Sequence, residues 1–137
     1  MAQLPDDWPE LEILFSSSGH GAGAAGSQNY GTIVIALIAT VSRGNVTIRS
    51  SSMLDKPVVR TNWLLENTDQ ELAIQAIKRG RDIWSHMSGV ITGPEVLPGT
   101  NITSDEEILA FIRAYMFPVH HATCTCRCDK YLANIGD

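Results

Sequence analysis

Five side chains able to do chemistry crowd the carboxyl end: His120, His121, Cys124, Cys126 and Cys128. Thiolates and imidazoles are zinc ligands, but structural zinc sites usually separate paired cysteines by two to four residues, so that a turn folds both sulfurs onto one ion. Here the spacing is C-x-C-x-C. On an extended strand the three sulfurs would stand in a row about 6.6 Å apart, too far for one ion without a sharp bend. The cysteines therefore read first as small hydrophobes on a core strand, with metal binding by the His/Cys cluster as the alternative. A nucleophilic Cys-His pair lacks an identifiable third group to orient it. His121 stands at an element boundary, after Pro118 stops a helix and before a Thr-Cys strand, where a rigid backbone can aim a side chain into a cleft.

Gly21, Gly23 and Gly26 satisfy G-x-G-x-x-G behind an expected strand. A dinucleotide turn also needs a helix after the glycines and an acid about 20 positions on for the ribose. The segment instead runs past Gly31 into a β-branched stretch, and no Asp or Glu falls between Glu12 and Asp55. The glycines read as a flexible loop. No G-x-S-x-G elbow accompanies the many serines.

The elements that must position these residues sit in a chain of 137 residues, 44% apolar and 18% charged, enough for one domain or a piece of a larger one. Ten Lys and Arg against fifteen Asp and Glu give a net charge of −5, no footprint for a nucleic acid or an anionic membrane. The longest apolar stretch, Thr32 to Val41, is half the roughly 20 residues a membrane span needs. Asp6, Asp7, Pro5 and Pro9 deny the amino terminus a signal peptide's character. Three cysteines cannot make a disulfide framework. The sequons at Asn45 and Asn101 permit glycosylation in a secreted context and carry little weight.

Leu11, Ile13 and Phe15 alternate as a strand with one buried face. Residues 16–29 read as a loop. Thr32 to Val41, the turn Ser42-Arg43-Gly44-Asn45 and Val46 to Arg49 predict a β-hairpin whose first arm is a central strand covered on both faces. Thr68 and Glu71 fit a capping box opening a helix with Leu72, Ala73, Ala76, Ile77, Ile83, Trp84 and Met87 on its apolar stripe. Lys78, Arg79 and Arg81 form its solvated face, and Gly80 inside it implies a close neighbour. Ser104 and Glu107 cap a second helix, which carries Ile108, Leu109, Phe111, Ile112, Tyr115 and Met116 up to Pro118. The fold class is α+β: an antiparallel β-sheet with the two helices on one face.

Several segments in order, Asp7-Trp8-Pro9, Val41 to Ser50, Pro57-Val58-Val59, Asn62-Trp63-Leu64, Asp69 through Trp84, Ser104 to Glu107 and His121-Ala122-Thr123-Cys124-Thr125-Cys126-Arg127, resemble the carboxyl-terminal, substrate-binding part of the glucose-methanol-choline (GMC) oxidoreductases, most closely the fungal aryl-alcohol and choline type. The likeness implies residues 1–127 as a partial substrate-binding domain and 128–137 as an unrelated tail. It implies a parent that uses FAD to oxidise a small-molecule alcohol at a CH-OH group, with His121 as the catalytic base and hydride passing to the flavin. His120 falls where the family commonly places an aromatic residue lining the substrate cavity, so it is the substrate-binding candidate.

The chain departs from the family at Arg60-Thr61, where Asp-Pro is usual, and at Cys128-Asp129, where Met-Gly is usual. The family's FAD-binding domain and its second active-site residue have no counterpart, so the sequence reads as a fragment or a mis-spliced frame, inactive by itself. A fragment lacking layers of its core is expected to expose the Thr32 to Val41 strand.

Overall fold

A computed structural model describes residues 8–19 and 29–120. Its elements are β1 (Leu11–Ser16), β2 (Thr32–Leu37), β3 (Asn45–Thr47), β4 (Val58–Arg60), α1 (Asn67–Ser85) and α2 (Asp105–Tyr115). The architecture is α+β, as expected, with two antiparallel two-stranded sheets among the described residues, β1–β2 and β3–β4. In the first, Leu11 pairs with Leu37, Ile13 with Ile35 and Phe15 with Ile33. Strand β2 packs against α1, and α1 packs against α2. The core runs through Ala36, Leu64, Ala73, Ile74, Ala76 and Ile108, the last 0% exposed.

The close neighbour implied by Gly80 is Ile35 of β2. A Cβ on that glycine would lie 3.0 Å from Ile35 Cδ1, so its absence lets helix and sheet approach. α2 begins as its residues dictate: Ser104 Oγ accepts the Glu107 backbone N–H at 3.2 Å, and the Glu107 carboxylate accepts the Ser104 N–H at 3.0 Å. Both halves of the capping box are made.

Three expectations are corrected. The hairpin does not form: β3 pairs with β4, and β2 with β1. The chain is intercepted between them, because both carboxylate oxygens of Asp69 accept backbone N–H groups, from Val41 at 2.8 Å and Ser42 at 2.7 Å. Ser42 Oγ then accepts the Glu66 N–H, and Asn62 Nδ2 donates to the Arg43 carbonyl. Gly44 lies against the end of β4, since a Cβ there would meet the Arg60 carbonyl oxygen. The supposed turn is thus a junction held to the start of α1.

Second, α1 is not capped by Thr68. Its N-cap is Glu66, with no side-chain cap, and Thr68 sits exposed in the first turn. Ser42 and Asp69 occupy this end instead. Third, Arg81 is not on a solvated face. Its Nε donates to both Glu95 oxygens at 3.1 and 3.2 Å, Nη1 to the Ile102 carbonyl at 2.8 Å and Nη2 to the Gly99 carbonyl at 3.1 Å. Lys78 and Arg79 stay in water, each paired with an exposed aspartate.

Strand β2 is half-buried with Ala36 buried, and among the described residues its strand neighbour is β1. Bare apolar side chains stand around β3 and β4, and also at Leu14 and Phe15 of β1, at Ile38, and from Tyr115 to Phe117. No helix among the described residues is long and apolar enough to cross a membrane.

Candidate functional site

The site candidates hang from the end of α2. The helix is anchored at its start by the capping box and at its middle by Ile108, and Phe111 stacks on Tyr115 with ring centroids 4.8 Å apart. Its approach is fixed by Arg81, whose guanidinium gathers Glu95 and the Gly99 and Ile102 carbonyls of the loop between the helices. Met116 N–H closes the last turn on the Ile112 carbonyl, and Pro118 cannot continue the helix. His120 follows, exposed, with φ +60°. Histidine is among the residues enriched in that left-handed region, and the backbone changes direction there immediately before His121.

Of the residues singled out from sequence, His120 is placed by the structure. His121, Cys124, Cys126 and Cys128 lie outside the described residues, as do Gly21, Gly23 and Gly26. Among the described residues no group of three His, Cys, Asp or Glu side chains stands close enough to hold a metal ion.

Another histidine has acid and hydroxyl neighbours. His86 Nδ1 lies 2.8 Å from the Asp82 carbonyl, 3.2 Å from Ser85 Oγ and 3.9 Å from Asp82 Oδ1. All three contacts converge on one ring nitrogen, whereas a triad needs the carboxylate on one nitrogen and the nucleophile on the other. This is the C-cap of α1.

Sequence reasoning missed part of the frame. Asp69 is 1% exposed and is the buried charged residue of the described core; two backbone N–H donors satisfy it, as burial of a charge requires. Its sequence signal was no more than an acid in the first turn of a helix. The Glu107 carboxyl is held below its ordinary value of 4.5 by the Ser104 backbone N–H and then that of Thr103, both of which it accepts.

What this frame can hold is limited by its topology. Strands β1 and β2 are antiparallel neighbours, and a dinucleotide cradle requires parallel strands joined through a helix whose amino end meets the pyrophosphate. The described residues therefore do not fit a flavin diphosphate.

The family model for the carboxyl-terminal domain, described as GMC oxidoreductase, matches residues 40–129, a span that includes the Asp69 junction, both helices, His120 and His121. The chain is 42% identical over 133 residues to dehydrogenase pkfF of Emericella nidulans, covering 92% of this chain and 22% of that protein. It is 37% identical over 135 residues to patulin synthase of Penicillium expansum, covering 92% and 22%. With versicolorin B synthase of Aspergillus parasiticus it shares 36% identity over 131 residues, covering 94% and 20%. The chain thus spans about a fifth of the length of the curated relatives it matches. It belongs to the GMC oxidoreductase family.

Proposed function

We propose that residues 1–127 are part of the substrate-binding domain of an FAD-dependent oxidoreductase acting on CH-OH groups, and that residues 128–137 are a tail outside that domain. The supporting observation is the family match over 40–129, which includes His120 and His121, together with a capped, anchored α2 that ends at Tyr115, five residues before His120. The FAD, held by the part of the protein beyond this chain, would supply the hydride acceptor.

The chain's own contribution is proton handling and substrate contact. His121 takes the proton of the substrate hydroxyl on a ring nitrogen, so that negative charge can build on the oxygen as the carbon is oxidised. General-base help of this kind is worth about 10²–10⁴-fold. His120, turned outward at positive φ, contacts the alcohol from the side. Arg81 and the Asp69 junction tie the described frame together ahead of His120.

The test is the full-length protein with His121→Ala. Alcohol turnover falls by at least about 10²-fold while FAD stays bound; turnover within twofold of the parent removes His121 from the mechanism. The 137-residue chain alone binds FAD weakly and turns over no alcohol, because it lacks the cradle; a yellow, active 137-residue preparation contradicts this.

A further inference from the structure

Residues Asn45-Val46-Thr47-Ile48-Arg49 alternate polar and apolar, the pattern of a strand built to bury one face. Val59 sits directly opposite Val46 in the β3–β4 register, which puts the two side chains on the same side. That face has no cover: Val46, Ile48 and Val59 are 63%, 85% and 61% exposed. The segment between the strands adds Met53 and Leu54, both held wholly in water.

These two side chains are not on a loose loop. Ser50 Oγ donates to Asp55 Oδ2 at 2.6 Å, Ser52 N–H donates to Ser50 Oγ at 3.0 Å, and Leu54 N–H donates to Ser52 Oγ at 3.3 Å. The Asp55 N–H closes the turn on the Ser52 carbonyl. A turn pinned in this way loses little conformational freedom when something docks on it. Behind its tip, between Ile48 and Pro57, opens a cavity of about 290 Å³. Bare apolar residues scattered singly mean nothing, but five large ones gathered on one ribbon and its turn mark a contact surface.

We propose that this surface, Val46, Ile48 and Val59 with the Met53-Leu54 tip, seats the remainder of the same polypeptide, which in the reading above is the flavin-binding part; the inference rests on that reading. Size and length argue for this occupant. Two strands about 10 Å long and about 5 Å apart, with a short tip, offer a face on the order of 200 Å², far short of the roughly 800 Å² per partner that a stable complex of separate chains buries. A covalently attached neighbour does not lose the translational freedom of association, so a small face suffices. The relatives carry about four fifths of their length beyond the matched region, as the 22% coverage shows.

Peroxide oxidation of Met53 tests the proposal in the full-length protein, followed by peptide mass spectrometry and referred to the same protein unfolded in urea. Met53 sulfoxide forms at least tenfold more slowly in the native protein. Oxidation within twofold of the unfolded rate overturns the proposal, and so does protection that vanishes on dilution to monomers, which would assign the face to a second copy. The readout does not depend on turnover. An unprotected Met53 in an enzyme that His121→Ala inactivates removes this inference and keeps the functional one, whereas a protected Met53 in a protein that takes up no flavin does the reverse.

Discussion

The junction at Asp69 and the ribbon of β3 and β4 are neighbours in sequence, yet they resolve the same physical demand in opposite ways. At the junction a charge is buried and every oxygen has a donor, with Val41 and Ser42 N–H groups at 2.8 and 2.7 Å. On the ribbon the backbone is paired but the apolar side chains are left in water. The first region is complete within this chain, and the second is complete only in company. The comparison separates residues that set the stability of this chain from residues that act once more of the protein is present.

Removing the charge at the junction should produce the largest effect. In Asp69→Asn one oxygen still accepts, but the amide NH2 confronts the other N–H, leaving a buried donor without a partner. A hydrogen bond to a charged group contributes about 1.5–3 kcal/mol and an orphaned group adds its desolvation penalty, so the loss is about 3–4 kcal/mol. Urea denaturation measures it. A loss below about 1 kcal/mol would show that packing alone holds α1 to the 41–42 segment.

Arg81→Met comes next, at about 2 kcal/mol, because four charge-assisted bonds disappear and Glu95 loses its partner in a site that is partly wet, with side chains 28% and 22% exposed. Arg81→Lys recovers less than half of that, since a point charge cannot reach Glu95 and two carbonyls at once. Amide exchange across 91–104 reports it directly: protection is lost in both variants. Full recovery by lysine would mean the charge matters and the fork does not.

Gly80→Ala is smaller and its sign depends on a neighbour. Alanine gains about 1 kcal/mol of helix propensity, while the Cβ meets Ile35 Cδ1 at 3.0 Å, and overpacking of this kind costs about 1–3 kcal/mol. The net is a loss of about 0.5–1 kcal/mol. In an Ile35→Val background, which deletes that methyl, the same glycine change costs about 1 kcal/mol less. An unchanged cost in the cycle would place the obstruction elsewhere.

Acid should produce a slighter change, confined to α2. Glu107 has its folded pKa below the ordinary 4.5 because it accepts the Ser104 and Thr103 N–H groups. A depressed carboxyl pKa stabilises the fold above the unfolded value, and that contribution is lost as pH falls through the folded one. The expected loss of helicity therefore begins below about pH 4.5, is absent in Glu107→Gln, and is smaller than any substitution above. Circular dichroism of both proteins from pH 7 down to pH 2 resolves it.

The pattern of these effects shows what the sequence could disclose. Strands β1 and β2 were legible because Leu11-Ile13-Phe15 and the β-branched 32–37 run carry their own period. α2 was legible because Ser104 and Glu107 lie three residues apart and satisfy one another. The hairpin failed because the groups that redirect the chain at 41–44, Asp69, Asn62 and Ser42, act across 19 to 28 positions. Arg81 failed for the same reason: its three carbonyl and carboxylate partners lie 14 to 21 residues away. At the candidate site, His120 and His121 are singled out by the family resemblance and the helix stop at Pro118 alone, because a lone imidazole has no period and no local partner to mark it.

The smallest effect is the sharpest test of the two-region comparison. Leu54 is 94% exposed, so Leu54→Ser removes almost no buried area from the 137-residue chain and should move its urea midpoint by less than the equivalent of about 0.5 kcal/mol. Ile108→Ala, emptying a position that is 0% exposed, costs about 2–5 kcal/mol in the same chain. In the full-length protein the order of magnitude closes up, because a leucine moved from water into an apolar contact is worth about 1.5–3 kcal/mol. A large loss for Leu54→Ser in the short chain would mean that the ribbon tip already belongs to the core, and the division between the two regions would fail. A negligible loss in both would leave the ribbon uncovered in either form, and its alternating pattern would then need a cause other than burial.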